Sequence, residues 1–137
     1  MGLGYNIPTR VFLMRFIIQR GSIQMYPYQV EKDGEHSGLA RITIEKSVDS
    51  SSLNDSLAAA LKEGAVKAMI IDIGQVEFIE SSGLGALVTA FKQCQQKEIR
   101  VVFSNPQSYI LKLVGITKLD QVLTLVESDE KAVAHLF

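Results

Sequence analysis

The chain has 137 residues, 47% of them apolar and 21% charged, with 14 basic against 15 acidic side chains. That length fits one domain able to bury a core without disulfides or metals, and the near-zero net charge leaves no electrostatic footprint for nucleic acid. A lone cysteine, Cys94, excludes an internal disulfide and a multi-cysteine zinc site and fits a reducing, cytoplasmic setting; His36 and His135 are too few for a histidine-rich metal centre.

From the N-terminus, "RVFLMRFIIQR" (residues 10–20) is apolar but far short of the roughly 20 residues that span a bilayer, and Arg15 interrupts it. It lacks a small-residue cleavage site, so direct membrane insertion and a secretory signal are not expected. Two readings of it stay open. One is a basic amphipathic surface anchor. The other is an extension over residues 1–24, poorly ordered or an artefact of reading the start at Met1 instead of Met25, ahead of a domain over 25–137.

"YQVEKDGEHSGLARITIEK" reads as a hairpin, with the turn in the polar stretch Lys32 to Gly38. After it, Leu39, Arg41, Thr43 and Glu45 alternate with Ala40, Ile42 and Ile44. Capping candidates at Asp49 to Ser52 then open a helix on which Leu53, Leu57 and Leu61 recur at helical spacing, and Gly64 closes it. "AVKAMIIDI" is a near-continuous apolar run of strand length, the pattern of a strand buried on both faces. A second helix carries Leu84, Leu87, Val88, Phe91 and Cys94 on one face, so the Cys94 thiol is expected in the core.

"IRVVFSN" gives another strand. Asn105 and Pro106 suit the N-cap and first turn of a helix holding Ile110, Leu113 and Val114 and ending at Gly115. "QVLTLVES" reads as a last strand, and Ser128 caps a terminal helix with Asp129 and Glu130 in its first turn. The order ββαβαβαβα predicts a single α/β domain: a mostly parallel central sheet, an N-terminal hairpin and flanking helices.

The chemistry concentrates at "FIESSGLGAL", between the central strand and the second helix. Ser81 or Ser82 could cap the helix, worth about 1 kcal/mol. A nucleophilic serine is disfavoured: a hydrolase elbow reads G-x-S-x-G, and Glu80 stands where the first glycine belongs. No Gly-Lys-Ser/Thr follows, so a Walker-type phosphate loop is excluded. Phosphorylation is a third option, since a helix N-terminus tolerates a phosphate while a docked partner would meet new charge and bulk. On residue chemistry alone, capping ranks above it.

"MIIDIGQVEFIESSGLGALVTAFKQCQQKEIRVVFSNPQSYILKLVGITKLDQVLTLVES" resembles the STAS domain of anti-sigma factor antagonists. The likeness runs from about Tyr26 to Phe137 and is strongest from Asp72 to Gly85. Asp72 matches the aspartate ending the family's central strand, Val76 and Phe78 its apolar spacers, and Ser81-Ser82-Gly83-Leu84-Gly85 its signature. The resemblance implies a binding module without enzymatic activity or cofactor. An anti-sigma factor with serine/threonine kinase activity would bind the unphosphorylated form, freeing a sigma factor, and release it on phosphorylating Ser82. A PP2C-type phosphatase would restore binding.

The implied partner surface is Asp49, Ser50, Glu80, Ser81, Ser82, Gly83 and Leu84, with Asp49 matching an aspartate at the start of the family's first helix. Three positions depart from the pattern: Glu80 replaces the usual Asp, Lys46 the usual Gly, and Gly74 a common Ser or Thr. The family also includes scaffolds of stress-signalling assemblies, anion-transporter tails and partners of lipid-transport ATPases. The alternative expectation is therefore a scaffold or complex subunit in which Ser82 only caps its helix.

Overall fold

The computed structural model of the chain describes residues 38–61 and 66–136 in full and, before them, the backbone of four strands. The elements run β1 (Arg10–Leu13), β2 (Phe16–Gln19), β3 (Ser22–Met25), β4 (Gln29–Asp33), β5 (Leu39–Ser47), α1 (Ser50–Leu61), β6 (Ala68–Phe78), α2 (Ser81–Gln96), β7 (Arg100–Ser104), α3 (Ser108–Ile116), β8 (Leu125–Val126) and α4 (Asp129–Leu136). From β4 onward this is the expected ββαβαβαβα order. The main sheet is ordered β1-β4-β5-β6-β7-β8, and β2 pairs only with β3. β4 and β5 form the antiparallel hairpin, with Val30 opposite Ile42. β5, β6, β7 and β8 are parallel. β1 adds to the sheet antiparallel to β4. The chain is thus an α/β domain with a four-stranded parallel core and, among the described residues, four helices.

Apolar patterning decides which face each helix covers. Ala40, Ile42 and Ile44 of β5 and Met69, Ile71 and Ile73 of β6 point into a large core cluster with Leu53 and Leu57 of α1, Leu87 and Cys94 of α2, and Ile110 and Val114 of α3. The opposite parity, Leu39, Ala68, Ile70 and Val102, packs against Ala132 and Leu136 of α4. Helices on both faces explain why β6 carries an unbroken apolar run where a half-exposed strand would alternate.

Several boundaries differ from the sequence pattern. β6 continues past Ile73 to Phe78 because its end pairs with the end of β5, Glu45 opposite Gln75 and Ser47 opposite Phe78, across two register shifts. β8 shrinks to two residues: Leu119–Gln121 form a 3-10 turn that draws Leu123 into the core, leaving only Leu125 and Val126 to pair with β7. Asn105 does not cap α3. Gln107 holds that position and Pro106 precedes it. Gly115 does not end α3, which runs one residue further to a cap at Thr117, and Lys118 then adopts the left-handed conformation. Ser128 does cap α4, its hydroxyl accepting the Lys131 N–H at 3.2 Å. The closing role expected of Gly64 and most of the hairpin turn lie outside the described residues.

Candidate functional site

Two helix starts meet at the end of the sheet where β5 and β6 finish. β5 leads through Val48 into α1, and β6 leads through Ile79 into α2. A Cβ built on Gly83 would lie 2.9 Å from Ile79 Cγ1 and 3.2 Å from Val48 Cβ, so the first turn of α2 is pressed directly on the β5–α1 connection. Only a residue without a side chain permits that approach. Gly83 therefore brings the Asp49 and Ser82 segments together.

At the α1 start, the Asp49 carboxylate accepts the Ser52 N–H at 2.9 Å and the Ser51 hydroxyl at 3.1 Å, while its carbonyl takes the Leu53 N–H at 2.9 Å. This is an N-cap built by the expected residue. The Ser52 backbone bond, then side-chain bonds from Ser52 and Ser51, hold the Asp49 carboxyl below its ordinary value. Ser50 is the exposed first residue of α1.

The α2 start is different. Glu80 occupies the N-cap position with extended backbone (φ −95°, ψ 171°), and its side chain makes no capping bond. Ser81 and Ser82 already lie inside the helix, exposed, and neither hydroxyl is bonded among the described residues. Neither serine caps. The carboxylate one carbon longer than aspartate also leaves the cap unmade. The first turn of α2 contains no acidic residue, so its free N–H groups and partial positive charge face solvent beside the two hydroxyls.

The expected surface residues divide by accessibility. Asp49, Ser50, Glu80, Ser81 and Ser82 are exposed; Gly83 is buried, and Leu84, 8% exposed, belongs to the core. The last two position the segment and offer little surface themselves. Sequence reasoning treated Phe78 as a spacer, but its ring is 56% exposed beside this site. Alternation carried no signal for it, because Val76, two residues earlier on β6, is buried.

The departures from the family pattern have structural accounts. Lys46 takes φ 64°, a conformation that favours glycine, at the second register shift between β5 and β6. At Gly74 a Cβ would sit 3.0 Å from Asn105 Cβ and 3.1 Å from Asp72 Oδ1. The Gly74 N–H donates to Asp72 Oδ1 at 2.9 Å, and its carbonyl accepts Gln107 Nε2 at 3.0 Å. Asn105, left-handed at φ 60°, donates through Nδ2 to Asp129 Oδ1 at 3.1 Å; the Ser104 hydroxyl reaches the same oxygen at 3.0 Å, and Arg41 pairs with Asp129 Oδ2. This tie between the sheet and α4 was missed, because its members are as much as 88 residues apart.

Cys94 is fully buried, and burial pushes its thiol up to about 11 against a smaller opposing effect of Lys97. His135 shares a cavity with Gln95 and Ile99 at the far end of α2, about 20 Å along that helix from Ser82; His36 lies outside the described residues. No described helix is long and apolar enough to cross a membrane, and no described group of three or more His, Cys, Asp or Glu residues is arranged to hold a metal ion.

The parallel sheet, the two apposed helix starts and the Ser-Ser-Gly-Leu-Gly turn agree with the STAS domain model, which matches residues 42–132. The chain belongs to the STAS domain family. It is 32% identical over 65 residues to the anti-sigma-B factor antagonist of Listeria monocytogenes serovar 1/2a, covering 47% of this chain and 55% of that protein. The chain thus spans about half the length of that curated relative. Its fold is similar to an anti-sigma factor antagonist from Mycobacterium paratuberculosis (TM-score 0.67, 21% identity, 88% of this chain and 98% of the other). It is similar also to the Bacillus cell fate determinant SpoIIAA in the phosphorylated form (TM-score 0.58, 18% identity, 80% and 99%).

Proposed function

We propose that the chain is an anti-sigma factor antagonist, a non-enzymatic cytoplasmic switch that binds an anti-sigma factor when Ser82 is unmodified. The anti-sigma factor carries serine/threonine kinase activity, phosphorylates Ser82 and is thereby released; a PP2C-type phosphatase resets the switch. Sigma factor availability follows the state of Ser82. The switch unit is the domain over residues 25–137, with 1–24 as an extension to it. The partner surface comprises Asp49, Ser50, Glu80, Ser81 and Ser82, seated by Gly83 and Leu84.

One observation carries the reading: Ser82 is exposed in the first turn of α2 and has no structural task there. A phosphate on it would meet unpaired N–H groups and a favourable dipole, so the fold tolerates the charge. A partner docked on the same turn would meet nearly two new negative charges beside Glu80. The alternative is a scaffold or complex subunit in which Ser82 is never modified; the capping role expected of Ser82 in it is absent, because the cap position belongs to Glu80.

The test combines the purified protein, the cognate anti-sigma factor and ATP, with phosphate mapped by mass spectrometry and binding followed by calorimetry. Phosphate is expected on Ser82, with at least tenfold weaker binding by Ser82→Asp and undiminished, ATP-insensitive binding by Ser82→Ala. Phosphate elsewhere, or equal binding by Ser82→Asp, sinks the proposal.

A further inference from the structure

Among the non-glycine residues with positive φ, Glu98 and Lys118 follow helices and Asn105 follows a strand, whereas Lys46 lies within one. A left-handed lysine costs about 1 kcal/mol or more relative to glycine, and such outliers persist where the position does something else. Lys46 is exposed and forms no ion pair among the described residues. Across the two segments that build the site, residues 45–52 and 72–84, it is the single cation among Glu45, Asp49, Asp72, Glu77 and Glu80.

Its place is fixed by register. Lys46 is opposite Val76, Ser47 is opposite Phe78, and Val48 touches the Gly83 position. Lys46 and Ser82 therefore flank the same contact, Lys46 two residues before Val48 and Ser82 one before Gly83. The two residues from Lys46 to Val48 span at most about 6.6 Å. The Val48–Gly83 contact completes the path to Ser82, and a flexible four-carbon stem and a phosphoserine side chain approach each other from its two ends.

We propose that Lys46 is the cation that receives the phosphate of phospho-Ser82, so that the phosphorylated state is held by an internal ion pair. This rests on the phosphorylation reading above. Apart from Lys46, every charged side chain of the two segments is a carboxylate. With Lys46 a phosphoryl group on Ser82 gains a compact ammonium partner, and the dianion is favoured over the monoanion.

The test installs phosphoserine at position 82 by codon reassignment, without any kinase, and follows the second phosphate ionisation by phosphorus NMR in the full chain. That ionisation is expected about 0.2–0.7 pH unit lower in wild type than in Lys46→Gln at low ionic strength. Lys46→Arg retains the lowered value, and 1 M salt erases most of the difference. Lys46→Gly, which relieves the backbone, titrates like Lys46→Gln. Equal ionisation in wild type and Lys46→Gln overturns the ion pair, whatever a kinase does to Ser82. Absence of kinase modification instead overturns the switch proposal and leaves the ion-pair measurement standing.

Discussion

The starts of α1 and α2 lie against each other through Val48 and Gly83, yet they are built in opposite ways. At α1 an aspartate turns back on its own helix, and its carboxylate occupies the Ser52 N–H and the Ser51 hydroxyl. At α2 the equivalent position holds a glutamate that caps nothing, followed by two exposed serines. Stability alone would favour the first design at both sites. A helix start left open beside a closed one keeps donors and hydroxyls available to something outside the domain, as the proposed switch requires.

The sharpest way to break the comparison is to separate the two starts. Gly83→Val places methyl groups where Ile79 and Val48 already stand, at 2.9 and 3.2 Å from the first added carbon. The expected loss is about 2 kcal/mol in urea unfolding, the overpacking penalty less a small gain in helix propensity. A loss within error would mean that the β5–α1 connection moves aside freely, and that Asp49 and Ser82 are not held to one surface.

A milder change makes α2 resemble α1. Glu80→Asp supplies a carboxylate of the right length to accept an N–H from the first turn, and is expected to stabilise the fold by about 0.5–1 kcal/mol. Binding of the proposed anti-sigma factor partner should weaken as the open donors close. Stability unchanged in Glu80→Asp would show that the α2 cap is blocked by backbone placement, not by side-chain length.

How much of this was legible in the sequence depended on the range of the forces involved. The 3.6-residue spacing of Leu84, Leu87 and Cys94 found the buried face of α2, and the run through Ile70 and Ile71 found a strand covered on both sides. The Ser128 cap was equally local. Asn105 misled because its amide is bonded to Asp129, 24 residues on, and that distant partner outweighs its local preference for a cap. The Gln121–Ser128 run misled because core packing of Leu123 curls the chain before pairing begins. At the site, the motif pointed to Ser82 as the candidate, but the open cap at Glu80 and the Val48–Gly83 contact depend on the parallel register of β5 and β6.

The smallest effect concerns the closed start and is read by pH. Hydrogen bonds depress the Asp49 carboxyl below its ordinary value of 3.8. The carboxylate cap therefore contributes fully above that value and is lost as pH falls through the lower, folded value. Asp49→Asn keeps a side-chain oxygen for the Ser52 N–H but does not titrate, and asparagine is as good a cap as aspartate. Melting temperatures of the two proteins should nearly coincide at pH 7. Below pH 4 the wild type should fall faster, by a degree or two at most given the full exposure of Asp49. An acid limb equally steep in Asp49→Asn would overturn the assignment of Asp49 as the carboxylate that closes the α1 start.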